Sequence, residues 1–296
     1  MKGIFKSELG KKSVLKSYGL LLEQWGTEYT EVSAETDYGK TQVITAGNPS
    51  KPPLLLFHGV GDNSALMWVF NAAVLAEHYY VIAVDTIGGP GKSEPNRNYY
   101  TGIDHIKWIE QVTGQFGIST MYTAGVSNGA YLAQLLTVRK PDTVIKSVIM
   151  SGTAAVKGGT AGMMKMMRVF LPEALFPTEK NVIRLLRKLS GPGHHIFTEN
   201  KELLNHWSLL LKYFNPRAMS PHKYTVISPA ELDILREKAC FLIGSDDPLC
   251  GSRAVQILTE NKLTFKIIHD AGHGINHEKA DEVNREIIKF LGTENS

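Results

Sequence analysis

The sequence predicts an α/β fold: a mostly parallel central sheet flanked by helices and interrupted once by a helical insertion. From residue 53 onward, short apolar runs alternate with segments of helical period, as parallel strands alternate with their crossover helices. The alternation stops after Met150 for roughly 75 residues, too long for a bare loop in a compact domain. It resumes at Cys240 and continues to the last helix, so the sheet is completed after the interruption.

Taken in order, an amphipathic helix near the start places Val14, Leu15, Tyr18, Leu21, Leu22 and Trp25 on one face. Residues 28 to 47 read as two strands around Tyr38-Gly39. There follow the run Pro53 to Phe57, a helix around Ala65 to Ala76, the run Tyr80 to Val84, a helix around Ile103 to Gln115 and the run Thr120 to Ala124. After Ser127 come a helix to about Arg139 and a strand near Val144 to Met150. Residues 152 to 225 hold helical stretches around Met163 to Phe170, Val182 to Leu189 and Leu203 to Tyr213, punctuated by Pro172, Pro177, Pro192, Pro216 and Pro221. This segment reads as a helical lid, with 1–151 and 226–296 forming the core. The strand Cys240 to Ile243, a helix from about Ser252, the strand Thr264 to Ile268 and a helix from about Glu278 to Leu291 close the domain.

A chain of 296 residues with 43% hydrophobic content can bury a sizeable core. Its formal net charge of +3 lacks the basic excess of a nucleic-acid binder, which leaves a small molecule as the expected partner. Two cysteines are too few for a disulfide framework, and the first residues lack the apolar run of a signal peptide, so the expected location is the cytoplasm. No stretch reaches the roughly 18 uninterrupted apolar residues of a spanning helix, so stable membrane insertion is not expected.

The chemistry concentrates at Gly125-Val126-Ser127-Asn128-Gly129, a Gly-x-Ser-x-Gly match between a strand and a helix. A serine on such a turn needs small neighbours, because its strained backbone passes close to the adjacent strand and helix. Its hydroxyl also needs a base. His273, on the loop after the last strand, meets that need. The loop after the preceding strand, Gly244-Ser245-Asp246-Asp247-Pro248, supplies two carboxylates, of which Asp247 is assigned as the orienting acid.

The order Ser127, Asp247, His273, with His58-Gly59-Val60-Gly61 after an early strand, resembles the α/β-hydrolase superfamily over nearly the whole chain. Among its subgroups, bacterial carboxylesterases with a helical lid are the most similar. In that superfamily the acid follows its strand as Gly-x-x-Asp, which Gly244 and Asp247 match and which leaves Asp246 one place out. The resemblance implies an oxyanion hole made by the backbone N–H groups of Val60 and Asn128. It implies cleavage of a small carboxylic ester by water through an acyl-enzyme, with no cofactor. Hydrolysis of a C–C bond in a diketone-like acid and ligand sensing with a retained triad are the alternatives. Asp85 to Ser93 resembles the superfamily's Asp-x-x-Gly-x-Gly-x-Ser loop, with one residue extra.

Other motifs read differently. His58, beside Gly59 at a strand end, is expected to order the oxyanion loop. His273 and His277 have i, i+4 spacing but no Glu beside the first, so they do not form a zincin motif. Gly91-Lys92-Ser93 ends like a Walker A loop, yet Thr86 stands where the first glycine belongs. Cys240 and Cys250 read as inert thiols. Met163, Met164, Met166, Met167, Phe170, Leu171, Leu175 and Phe176 could line an acyl pocket. Residues 152–225 carry eleven Lys or Arg against four Asp or Glu, a basic face with an acidic remainder.

Overall fold

Nine strands make one sheet in the computed structural model, which describes residues 3–156, 166–171 and 173–292. They are β1 (Tyr29–Thr36), β2 (Gly39–Ala46), β3 (Pro53–Phe57), β4 (Tyr80–Val84), β5 (Glu94–Pro95), β6 (Met121–Val126), β7 (Val144–Met150), β8 (Ala239–Gly244) and β9 (Thr264–Ile268). The spatial order is β1-β2-β4-β3-β6-β7-β8-β9, with the short β5 paired to β2. β1, β2 and β4 pair antiparallel, and every pairing from β4 through β9 is parallel.

The parallel strands are apolar throughout because both their faces are covered. Leu54, Leu56, Val81, Ala83, Ala124 and Val126 turn to one face; Leu55, Phe57, Ile82 and Val84 turn to the other. The first face receives the N-terminal helix Glu8–Leu22, whose N-cap Ser7 accepts the Gly10 N–H, and whose Val14, Tyr18, Leu21 and Leu22 are buried. Leu15 is only half-buried. The opposite face is covered by His105–Gly114, Asn128–Arg139, Pro229–Lys238 and Gly251–Glu260.

One helical expectation changes, and helices appear that the periodicity did not predict. The helix expected around Ala65 to Ala76 is two pieces, Ser64–Met67 and Ala72–Ala76. Between them the Asn71 amide donates to Asn276 O and Asn284 Oδ1, tertiary bonds that local periodicity does not encode. The closing helix lies where the sequence predicts it, at Ala280–Leu291, and a short helix that the periodicity missed, Ile275–Glu278, precedes it. Pro229–Lys238 is a helix the periodicity missed, although Ser228 and Glu231 form a capping box around Pro229.

Between β7 and the helix Pro229–Lys238 the described chain holds α-helices at 166–170, Glu179–Leu189, His195–Glu199 and Lys201–Tyr213. The first of these overlaps the helix expected around Met163 to Phe170; its residues 163–165 lie outside the described residues. Val182, Leu186, Phe197, Leu203 and Leu210 join the core cluster of the first sheet face. The N-terminal strap pins this insertion: Lys6 N donates to Tyr213 O at 2.8 Å, and Asn215 N to Ile4 O at 2.8 Å. At Gly10 a methyl group would lie 2.5 Å from the Tyr213 ring, so glycine lets the two helices close. No described helix is long and apolar enough to cross a membrane.

Candidate active site

Ser127 follows β6 and immediately precedes the helix Asn128–Arg139, with φ 56° and ψ −110°. That conformation strains a residue carrying a Cβ, and its neighbours make it possible. A methyl group on Gly125 would lie 2.1 Å from Gly129 O, and one on Gly129 would lie 2.1 Å from Phe57 O. Glycine is therefore required at both positions by backbone contact.

Ser127 and His273 line one cavity of about 470 Å³, within the range of small-molecule sites. Met166, Met167, Phe170 and Leu171 line it too, joined by Leu186, Leu189, Phe197 and Trp207. Leu175 and Phe176 do not line it, and Met163 and Met164 lie outside the described residues.

His273 Nδ1 lies 2.8 Å from Asp247 Oδ2. Asp247 is 4% exposed and accepts three further bonds: Leu249 N at 2.7 Å and Cys250 N at 3.1 Å on Oδ1, and the Cys250 thiol at 2.7 Å on Oδ2. Burial alone would raise this carboxyl, but His273, the thiol and the Leu249 N–H outweigh it and hold Asp247 below the usual carboxylate range. Asp246 is exposed and accepts the Ser245 hydroxyl at 2.8 Å. Of the two candidate acids, only Asp247 meets the histidine. Cys250, read from sequence as an inert thiol, is bonded to that acid.

The backbone of His273 is held as firmly as its ring. Its N–H donates to Leu189 O at 2.6 Å, and its carbonyl accepts from the Ser151 hydroxyl at 2.6 Å. The Glu278 carboxylate accepts Gly272 N at 3.0 Å and Gly191 N at 2.8 Å, joining the His273 loop to the end of the helix Glu179–Leu189. None of Ser151, Leu189, Cys250 or Glu278 carries a motif. Each is found only when segments distant in sequence come together.

Val60 lines the cavity, and Asn128 begins the helix after Ser127. A methyl group on Gly59 would lie 3.6 Å from Ser127 Cβ, which sets the Val60 loop against the serine. The His58 ring ties that loop down. Thr86 N–H donates to Nε2 at 2.8 Å, so the proton sits on Nδ1, which lies 2.8 Å from Gly59 O. Burial lowers its pKa and keeps the ring neutral. The Asp85 carboxylate accepts Ser64 N, Lys92 N and the Tyr18 hydroxyl at 2.9, 2.9 and 3.0 Å, so the Asp85–Ser93 loop is a brace between helix and sheet.

Two further buried polar groups stand in the cavity wall: Asp62, which carries no motif in the sequence, and His277, which enters there only through its i, i+4 spacing to His273. Asp62, 3% exposed, accepts Asn63 N at 2.8 Å, and burial raises its pKa from 3.8 to about 8. His277 Nε2 donates to Leu66 O at 2.9 Å, and burial lowers its pKa to about 4. His277 is thus turned to a backbone partner away from His273.

A family model for the alpha/beta hydrolase fold matches residues 52–280. Carboxylesterase YbfK of Bacillus subtilis is 33% identical over 141 residues, 47% of this chain and 47% of that protein, so the match spans about half of each. The uncharacterized carboxylesterase nap of Bacillus subtilis is 25% identical over 289 residues, 94% of this chain and 92% of that one. Among solved structures, naproxen esterase from Bacillus subtilis superposes with a TM-score of 0.82 at 21% identity, covering 97% of this chain and 99% of that one.

Proposed function

Because the chain belongs to the alpha/beta hydrolase fold family, we propose that it is a carboxylic-ester hydrolase working through an acyl-enzyme on Ser127. The observation that carries this reading is the strained turn of Ser127 at a cavity shared with His273, whose ring is bonded to the buried Asp247. The carboxylesterase names of YbfK and nap support the ester as substrate class.

In this mechanism neutral His273 takes the Ser127 proton at Nε2 while Oγ attacks the ester carbonyl. Asp247, bonded at Nδ1, fixes the tautomer and stabilises the imidazolium without taking its proton. The oxyanion is held by the N–H groups of Val60 and Asn128. Neither N–H donates to another backbone group among the described residues, and the second opens a helix whose N-terminus favours negative charge. Collapse expels the alcohol, which carries away the proton from His273. Water, activated by the same imidazole, then releases the acid.

Residues 152–225 act as the lid of this site: Met166, Met167, Phe170 and Leu171 supply apolar wall, which suits an apolar acyl or alkoxy group. The test is hydrolysis of p-nitrophenyl esters of increasing chain length by the wild type and by Ser127→Ala. Turnover should fall roughly 10⁴- to 10⁶-fold in the variant, with the fold retained by circular dichroism. Equal activity of both proteins would remove Ser127 from the mechanism. Turnover of a diketone-like acid but of no ester would replace ester hydrolysis by C–C cleavage.

A further inference from the structure

The acid–base pair has a third member with a soft donor atom. Cys250 Sγ and His273 Nδ1 converge on the same carboxylate oxygen, Asp247 Oδ2, at 2.7 and 2.8 Å, and the three ligating atoms lie within 4.8 Å of one another. A thiolate, an imidazole nitrogen and a carboxylate oxygen form a ligand set that zinc accepts, with bonds of about 2.0–2.3 Å and tetrahedral geometry. Such bonds set neighbouring donors roughly 3.5 Å apart. Oδ2 therefore has to separate from its two partners by less than about 1 Å, the space opened when an ion replaces the protons between them.

The surroundings favour this use. Backbone bonds from Leu249 and Cys250 to Oδ1 hold the carboxylate without occupying the side facing the thiol and the ring. Leu249 and His273 line the cavity, and Cys250 and His273 are half-buried, so an ion and its fourth ligand, a water, can reach the corner. The other cysteine is unlike it: Cys240 lies in β8, 8% exposed, and burial pushes its thiol up to about 11.

We propose that Asp247, Cys250 and His273 form a binding site for Zn²⁺, and that occupancy switches the enzyme off. Only the inhibitory consequence rests on the hydrolase reading; the binding stands on the three ligands. The Cys250 thiol gives its proton to solvent and binds as thiolate. His273 binds through Nδ1 and keeps a single proton, which now resides on Nε2. A protonated Nε2 cannot accept the Ser127 proton, so the base is lost although the ring stays in place. Binding tightens as pH rises, because a proton leaves on each association.

The test uses the full chain without a polyhistidine tag. Binding is read on Ser127→Ala by adding Co²⁺ and following thiolate-to-cobalt charge transfer in the near ultraviolet. One equivalent should develop the band, and Zn²⁺ should bleach it. Inhibition is read as ester hydrolysis against Zn²⁺, each variant relative to its own metal-free rate. EDTA should restore the wild type. Cys250→Ser, which keeps a hydroxyl donor for Asp247, should need at least about tenfold more Zn²⁺, and Cys240→Ser should behave as wild type. Absence of the band, a band that persists with Cys250→Ser, or equal Zn²⁺ sensitivity of that variant would each overturn the site. A band without inhibition would overturn the switch. If no ester is turned over at all, the hydrolase reading fails while the cobalt band still decides the binding.

Discussion

On the floor of the cavity Gly125 and Gly129 leave no space for a methyl group, whereas in the cover Leu175 and Phe176 are 64% and 68% exposed. The floor is the end of a parallel sheet, where backbone meets backbone and any added atom displaces the serine. The cover packs through Val182, Leu186, Phe197, Leu203 and Leu210, and leaves Met167 and its neighbours facing cavity or solvent. The contrast separates two jobs. On the proposed function, reaction geometry rests on contacts that do not tolerate change, and substrate shape on adaptable side chains that do.

The junction between floor and cover gives the largest effect among the substitutions that probe this contrast. A methyl group on Gly272 would lie 2.2 Å from Leu189 O, the carbonyl that accepts the His273 N–H. Gly272→Ala should lower kcat by about 100-fold through displacement of His273, the proposed base, with little change in KM. Steady-state kinetics with an active-site titration measures this. An unchanged kcat would mean that the insertion does not position the base.

Asp62 probes the wall where floor and cover meet, and its effect is on stability. Below about pH 4 the carboxyl is protonated in the folded and the unfolded chain alike. Between there and about pH 8 only the unfolded chain releases the proton, so folding stability falls as pH rises, and above about 8 that loss is complete. Asp62→Asn should therefore raise Tm by several degrees at pH 8 and leave it nearly unchanged near pH 4. Scanning calorimetry at the two pH values decides it, and an equal shift at both would refute a buried acid.

The smallest effect belongs to the cover. Met167 is 53% exposed and lines the cavity, so Met167→Ser should change stability by less than about 0.5 kcal/mol. It should raise KM for long-chain esters a few-fold and spare short ones. A large fall in kcat for the short esters would erase the distinction between floor and cover.

Sequence reading goes furthest where the physics is local. Strands such as Pro53–Phe57 and Tyr80–Val84 lie where the apolar runs predict, because a strand buried on both faces announces itself in composition. The Gly-x-Ser-x-Gly turn is legible because its steric demand falls on five consecutive residues. The split of the helix after Asn63 is not, since it answers to Asn71, Asn276 and Asn284 meeting across the fold. The same holds at the site. The place after β8 narrows the acid to Asp246 or Asp247, and the Gly-x-x-Asp resemblance picks Asp247, but the thiol that shares its oxygen, the Ser151 hydroxyl on the His273 carbonyl and the Leu189 carbonyl under its N–H belong to contacts that no spacing records.

The bond from His273 N to Leu189 O has a consequence for descent. A segment that merely roofed the cavity could be traded between lineages like a cassette, each exchange altering only which esters fit. Here the segment holds a backbone anchor of His273, so a replacement has to present a carbonyl at the same place. Change is then freer in the helices beyond the turn at 189–191 than in the turn itself, whose backbone meets the loop at 271–273.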